Sequence, residues 1–206
     1  MSNKKLIVWV LIGWLVVLGL LALAFVLFGS DDLGAPARHE LGTVAETARK
    51  VLPATESLAS GWQPDAVLVG ITASWHDVSP ETLRQPPAWS FQFYSAGRRE
   101  TLITTVLQGQ AQTVRTSLAP YPLPAIQPDA WAIDSTQALE VWLDNGGADF
   151  LAENPVGAQV RLQLRLYSDR QHESPQLVWT VTGLVFETNR FRMLRIDATS
   201  GKVVYF

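Results

Sequence analysis

The order of patterns in this chain recurs once, about 90 residues further along, and this recurrence constrains the fold more than any other feature. Three pairs of residues carry it, at offsets of 91, 90 and 92 positions: Thr43 and Asp134, Trp89 and Trp179, Gly109 and Gly201. Each pair falls at the same place in a series of one predicted helix followed by predicted strands. Anchors at a nearly constant offset favour a duplication. The chain is therefore predicted to contain two copies of one folding unit.

The first copy begins with a predicted helix. Thr43 followed by Glu46 three residues later is the capping-box pattern of a helix N-terminus. Pro53 breaks or kinks this helix, which leaves open whether residues 54–59 continue it. The alternation from Trp89 to Phe93 is typical of a strand with one buried face. The extended runs of this copy are 66–75, 89–95, 101–107 and 112–118.

The second copy repeats this order after a proline-rich segment, which is predicted to be a stiff, extended linker. Asp134 with Gln137 caps the second predicted helix. Asn145-Gly146-Gly147 ends that helix, because glycine readily takes the left-handed conformation of a C-cap. The extended runs of this copy are 158–167, 177–186, 191–197 and 202–206.

These patterns predict an α+β fold in which an N-terminal transmembrane helix precedes two tandem modules, each one helix packed on a small antiparallel sheet. The connections between the strands are too short for parallel crossovers. The predicted segments are a cytoplasmic N-terminus (1–5), a transmembrane helix (6–28), a linker (29–42), a first module (43–119), the proline-rich linker (120–132) and a second module (133–206).

The predicted transmembrane helix, Leu6 to Phe28, has 23 residues and no charge. At 1.5 Å per residue it is about 34 Å long, enough to cross a hydrocarbon core of about 30 Å. Lys4 and Lys5 precede it, and acidic residues follow. The positive-inside bias therefore predicts a single-pass protein of the cell membrane, with the C-terminal part outside the cytoplasm and residues 6–28 in contact with lipid. The alternative is a signal peptide cleaved after Ala24, although its apolar region is normally shorter.

Residues 195–204, which read Arg-Ile-Asp-Ala-Thr-Ser-Gly-Lys-Val-Val, resemble the closing hairpin of PepSY domains. Together with the helix from Asp134 and the strand at Trp179, the resemblance covers about 75 residues. The first copy is similar only in pattern, since residues 107–110 read Leu-Gln-Gly-Gln. The layout also resembles envelope proteins with tandem PepSY-like or cystatin-like modules. The resemblance implies a non-catalytic module outside the cytoplasm that regulates a peptidase or binds an envelope partner.

Composition excludes several classes of function. There is no cysteine, so disulfides and thiolate metal sites are impossible. Two of the 16 lysines and arginines precede the apolar run 6–28. The rest of the chain therefore has 14 basic residues against 19 acidic ones. A nucleic-acid surface needs clustered cations; the densest pair, Arg98–Arg99, is more simply a solvated turn. No glycine-rich phosphate loop is present, so nucleotide binding is not expected.

Three polar patterns are candidates for a catalytic or metal-binding site. His39-Glu40 and His172-Glu173 start the zinc-peptidase pattern, but neither has the second histidine. The pair His76–Asp77 suggests an oriented base, yet no nucleophile motif accompanies it. The acidic cluster Asp144, Asp149 and Glu153 suits a hard cation by its oxygens but not by its spacing. The sequence therefore predicts no catalytic, cofactor-binding or metal-binding residue.

Six tryptophans follow the apolar run. Trp89, Trp142 and Trp179 are expected on core faces, while Trp62 and Trp131 flank the ends of elements. An aromatic-lined cleft for a peptide or glycan is the alternative. The resulting hypothesis is a non-enzymatic, membrane-anchored binding or regulatory protein with an envelope protein or peptide as partner. A structural subunit of a membrane complex, and an enzyme with an unrecognised site, are the rival interpretations.

Overall fold

The computed structural model describes residues 47–79, 82–168 and 175–205, together with the backbone of His39–Glu40. Three α-helices are present in these ranges: α1 (Ala48–Trp62), α2 (Ser135–Trp142) and α3 (Ala148–Glu153). The strands are β1 (His39–Glu40), β2 (Val67–Trp75), β3 (Ala88–Ser95), β4 (Glu100–Leu107), β5 (Gln110–Leu118), β6 (Ala158–Tyr167), β7 (Gln176–Val185) and β8 (Arg190–Asp197).

All eight strands form one antiparallel sheet in the order β1-β5-β4-β3-β2-β6-β7-β8. Strands β2 to β5 are a meander, and β6 to β8 are a second one. The two meanders join where β2 pairs with β6, over residues 71–75 and 160–164. The first strand of each predicted copy therefore lies at the centre of the sheet.

The predicted fold class is wrong in its central feature. Two modules with separate small sheets were expected, whereas both copies contribute to a single sheet. The physical reason is that β2 and β6 would each be an exposed edge in an isolated module, and pairing them satisfies their backbone groups. Alternation of side chains identifies a strand and its buried face but does not identify its neighbour. The bounds predicted for the two modules stay a prediction.

The predicted transmembrane helix has no counterpart in the described structure. Among the described residues, no helix combines the length and the apolar character needed to cross a membrane. The segment Leu6 to Phe28 lies outside those residues, so the classification of the chain as a single-pass membrane protein gains no support and is withdrawn. The predicted location of the chain stays a prediction.

The predicted strands are confirmed to within one or two residues, with one exception. The last run, 202–206, is reduced to one bridge between Ile196 and Val203. Helix α1 begins at Ala48 with Thr47 as its N-cap and continues through Pro53. The capping box predicted at Thr43 and Glu46 lies outside the described residues.

The recurrence in the sequence is visible in the register of the sheet. Trp89 on β3 and Trp179 on β7 occupy equivalent places on the second strand of each meander. At the centre, Thr72 of β2 lies opposite Gln163 of β6. These two residues are 91 positions apart, so an approximate twofold axis passes between them. Gly109 and Gly201 both adopt positive φ, 75° and 73°, in equivalent turns.

The helices lie on one face of the sheet and close a common core. Trp89, Trp131, Trp142 and Trp179 are all 1% exposed or less. The N-termini of α1 and α2 meet, and the backbone N–H of Ala48 donates to Ser135 Oγ at 3.1 Å. No described helix covers the opposite face. We call that side the open face.

Candidate binding surface

The predicted His76–Asp77 pair lies at the end of β2, where both side chains are exposed. It lines a shallow pocket of about 310 Å³ with Trp75 and the Pro86–Pro87 loop. Trp75 Nε1 donates to the Gln85 carbonyl at 3.0 Å, and the Thr82 hydroxyl is bonded to the backbone N–H of Ser79 at 2.8 Å. These bonds stabilise the loop itself, and the hydroxyl beside the pair is already engaged.

The predicted acidic cluster is partly neutralised by β8. Glu153 forms an ion pair with Arg190 at 2.7 Å. Within the described ranges, no group of histidine, cysteine or acidic residues is arranged to hold a metal ion. The pocket that contains Asp149 and Glu153 does not include His76 or Asp77, so the structure does not bring the two candidate sites together. Of the zinc-like patterns, His172-Glu173 lies outside the described residues.

Four of the described tryptophans are packed in the core. Trp89, Trp142 and Trp179 are buried, as predicted from their positions on strands and helix. Trp131 was expected only to flank an element, but it is fully buried and stacks on Trp179 with 5.5 Å between the ring centroids. Arg49 lies over Trp131, 5.6 Å from the ring centre, and donates to its carbonyl. This contact holds α1 to the segment before α2.

A groove of about 430 Å³ runs between α1 and the proline-rich segment. It is lined by Pro53 and Glu56 of α1, by Phe93, and by Ile126, whose backbone N–H donates to the Leu68 carbonyl at 2.7 Å. Burial raises the pKa of the Glu56 carboxyl. Nothing else in the groove's lining indicates what would occupy it.

The outer side of β8 is the feature that the sequence did not reveal. Its counterpart in the first meander, β4, pairs with β5 along its whole length, from Glu100 to Leu107. Among the described residues, 202–204 alone pair with the outer side of β8, near the end of the strand. There Asp197 N–H donates to the Lys202 carbonyl at 2.8 Å, and Val204 N–H donates to the Arg195 carbonyl at 2.9 Å.

The turn that brings this short segment to β8 depends on Asp197. Its Oδ1 accepts hydrogen bonds from the backbone N–H groups of Thr199 and Ser200, at 3.0 and 2.7 Å, and from both hydroxyls. Burial raises the pKa of Asp197, but these bonds outweigh it and hold the pKa below its ordinary value. Gly201 has a positive φ of 73° in this turn, a conformation that glycine adopts without strain. The turn covers the edge of β8 only from Arg195 onward.

The rest of the edge of β8 is open within the part of the chain that the structure describes. In a strand, alternate residues direct their N–H and C=O groups to the same side. Since Arg195 and Asp197 bond outward, Phe191 and Met193 also direct their backbone groups outward. No described residue pairs with these groups on that side.

The side chains along this open edge are apolar on one face. Phe191 is 69% exposed and Met193 is 46% exposed, and both lie on the open face beside Leu184 and Thr182 of β7. Phe186, in the β7–β8 turn, is 65% exposed. Clustered apolar side chains beside an unpaired strand edge are typical of a surface that binds another chain. We call Phe191, Met193 and the backbone edge between them the β8 edge site.

Arginines flank the β8 edge site on the helix side. Arg190 is paired with Glu153, whereas Arg192 donates to the carbonyl of Asn145. Among the described residues, no carboxylate forms an ion pair with Arg192. The sequence predicted an extended run at 191–197, but it did not indicate that this strand is an edge. That information lies in the pairing of the sheet.

Comparisons with protein-family models, with curated proteins and with solved structures found no match to this chain. The resemblance of residues 195–204 to PepSY domains therefore stays a prediction.

Proposed function

We propose that this chain is a non-catalytic binding protein that takes up an extended segment of a partner protein as an additional strand beside β8. The observation that supports this is the β8 edge site, which is open at the place where β5 covers the equivalent strand of the first meander. Addition of a strand to an exposed sheet edge is a common mode of peptide recognition.

The incoming strand forms its main-chain hydrogen bonds with the outward N–H and C=O groups of Phe191 and Met193. These bonds give affinity without strong dependence on sequence. Selectivity comes from the side chains, because alternate residues of the added strand lie next to Phe191 and Met193 on the open face. The partner segment therefore carries apolar residues at alternate positions.

Charge favours a different protein over a second copy of this chain. Antiparallel pairing of two β8 strands centred on Arg192 places two arginines directly opposite each other, and like charges in that position are destabilising. A partner with a carboxylate opposite Arg192 binds more tightly instead, because it forms an ion pair with this guanidinium. The guanidinium has no ion-pair partner among the described residues. The proposed segment combines apolar residues on one face with an acidic residue on the other.

This role agrees with what the PepSY resemblance implies, a module that regulates a peptidase or binds an envelope protein. A peptidase inhibited by strand addition and a structural partner held in the same way are both compatible with the β8 edge site.

The experiment selects extended peptides from a random display library against the full chain and compares three proteins: wild type and two variants. Met193→Pro removes an outward N–H that has no described partner, so it is tolerated at the edge but blocks strand addition. Val156→Glu changes an 83% exposed apolar residue elsewhere and is the control. Selected peptides are expected to bind wild type and Val156→Glu alike, and Met193→Pro at least about tenfold more weakly, the effect of about 1.4 kcal/mol.

Two results contradict the proposal. One is a set of selected peptides that bind Met193→Pro as tightly as wild type, with circular dichroism showing both proteins folded. The other is a dimer of the free chain, seen by sedimentation, that Met193→Pro abolishes, because the edge is then occupied by a second copy.

A further inference from the structure

The open face of the sheet carries several arginine side chains. Arg161 and Arg165 project from β6 on this face, and both are exposed. Arg161 and Arg165 are four residues apart along one strand, so their Cα atoms are separated by about 13 Å. Arg195 of β8 lies on the same face, two strands away in the row of Gln163 and Thr180.

No described carboxylate forms an ion pair with Arg161 or Arg165. Within β2 to β8, the open face holds one acidic side chain, Asp197, whose Oδ1 is engaged in the C-terminal turn. No hydrogen bond or ion pair joins Arg161 to another described residue, and the hydrogen bond from Arg165 goes to the neutral Gln92 at 3.4 Å. The whole chain has a net charge of −3, so this face is basic on an acidic protein.

The surface between the arginines is polar. Thr72, Gln163 and Thr182 form its centre, on three adjacent strands, and Thr180 lies buried among them. Hydroxyl and amide side chains both donate and accept hydrogen bonds, which matches the peptide groups of an extended chain. The arginines provide fixed, planar groups for carboxylates at its margins.

We infer that the open face binds an acidic segment of a protein, with carboxylates on Arg161 and Arg165 and peptide groups on the polar centre between them. Alternate side chains of an extended peptide are about 6.7 Å apart, so acidic residues four positions apart match the two arginines. This surface adjoins the β8 edge site at Thr182, which lies opposite Met193. The inference uses side chains of the face and not the backbone edge of β8, so it does not depend on strand addition there.

Nucleic acid fits the same face less well. Non-specific binding of a single strand uses aromatic side chains on which bases stack, together with a dense basic groove. Tyr94 on this face is 5% exposed, and the Tyr167 ring lies under Arg195, 5.5 Å from its guanidinium. A few widely spaced arginines suit a few carboxylates better than a continuous row of phosphates.

The test measures fluorescence anisotropy of two labelled 12-residue peptides, one alternating Glu and Ser and the other alternating Lys and Ser, with the full chain. The double variant R161E/R165E removes the basic face. The matched control K50E/R84E makes the same change of charge at exposed residues on α1 and on the loop between β2 and β3. Both variants alter exposed side chains and are checked for folding by thermal unfolding.

Wild type and K50E/R84E are expected to bind the Glu peptide at least about tenfold more tightly than the Lys peptide at low salt. R161E/R165E loses this preference, and salt weakens the binding because exposed ion pairs are screened. Equal binding of the Glu peptide by both double variants overturns the inference. Tighter binding of polyphosphate, or of vesicles with anionic lipid, than of the Glu peptide also overturns it, because the face then recognises phosphate. Met193→Pro leaves the expected result unchanged, which separates this test from that of the β8 edge site.

Discussion

The two meanders of the sheet have the same order and the same buried tryptophan, but they differ at their outer edges. In the first, β5 covers β4, and Thr101 and Leu102 are 4% and 0% exposed. In the second, the equivalent residues are Phe191 and Arg192, both exposed. The difference indicates that the shared part of the repeat specifies the core, whereas the unshared part leaves one edge available to a partner.

A second difference lies on the helix side. Phe93 of β3 corresponds to Gly183 of β7, 90 positions later. A Cβ on Gly183 would lie 2.7 Å from Cε1 of Phe150 and 2.9 Å from Trp142, so helices α2 and α3 fill the space that Phe93 occupies in the first meander. The second copy therefore has a glycine where the first copy has Phe93, and an additional helix, α3, packs against it.

The largest predicted effect concerns the shared tryptophans. Trp89→Ala and Trp179→Ala each lower the free energy of unfolding by about 3–5 kcal/mol, since both remove a buried indole. Trp179→Ala has the larger effect, because Trp179 Nε1 also donates to the Ile133 carbonyl at 2.8 Å and its ring stacks on Trp131. Urea unfolding followed by circular dichroism measures both values.

The same unfolding curves test whether the halves are one folding unit. Residues 37–206 form one compact unit with a shared sheet, so a single transition is expected for wild type and for both variants. Two separate transitions, one moved by Trp89→Ala and the other by Trp179→Ala, would contradict the single sheet. Trp→Phe at each position is the milder control.

Overpacking at Gly183 is expected to have an intermediate effect. Gly183→Ala lowers stability by about 1–3 kcal/mol, because the added methyl group meets the rings of Phe150 and Trp142. Gly61→Ala is the control: no atom lies within 4 Å of the place its methyl group would take, and alanine favours helix α1. A neutral Gly183→Ala would show that α3 does not fill this space.

Acid is expected to weaken one turn in each half. Asp65 accepts from the backbone N–H of Gly97 at 2.8 Å and from the Ser95 hydroxyl at 2.7 Å, and these bonds lower its pKa; the pKa of Asp197 is lowered as well. Because the folded-state pKa is below the ordinary value of 3.8, their contribution to stability is present above pH 3.8 and is lost as the pH falls through the folded-state pKa.

The variant Asp197→Asn measures this contribution. It is expected to be less stable than wild type at pH 7, by less than about 1 kcal/mol after solvent screening, and to become equal to wild type in acid. Asp65→Asn shows the same dependence on pH, and Asp129→Asn is the exposed control. A difference between Asp197→Asn and wild type that persists unchanged at pH 2 would show that the carboxylate charge is not what holds the turn.

The smallest effect is expected at the open edge. Phe191→Ala changes stability by no more than about 0.5 kcal/mol, because this side chain is largely exposed in the free chain. Leu102→Ala, at the covered edge of the first meander, costs about 2–5 kcal/mol by comparison. A large loss in Phe191→Ala, seen by the same urea titration, would mean that Phe191 belongs to a packed core.

The sequence predicted the local elements well and their assembly poorly, for physical reasons. Alternation around Trp89 and Trp179 locates strands, because side-chain direction has a period of two. The pairing of β2 with β6 depends on backbone groups that every residue has, so no pattern of side chains in the sequence predicts it. Helix α3 was missed because Gly146, with φ of 92°, was taken as the end of a helix and is instead a kink between two.

The candidate site was missed for a related reason. Phe191 and Met193 alternate with arginines as a half-buried strand would. They are exposed in a strand with no described neighbour along one side, on a face that no described helix covers. The motif chemistry at His76–Asp77 and at the acidic cluster was visible in the sequence, but the structure does not assemble it into one site.

Native-state hydrogen exchange of the full chain tests the difference between the two edges most directly. The amides of Thr101 and Ile103 face β5, whereas those of the equivalent Phe191 and Met193 face outward from β8. We expect the amides of Phe191 and Met193 to exchange at close to the rate of an unprotected amide, and those of Thr101 and Ile103 to exchange slower by several orders of magnitude. Equal protection of the two pairs in the free chain would show that the edge of β8 is already paired and would contradict the proposed function.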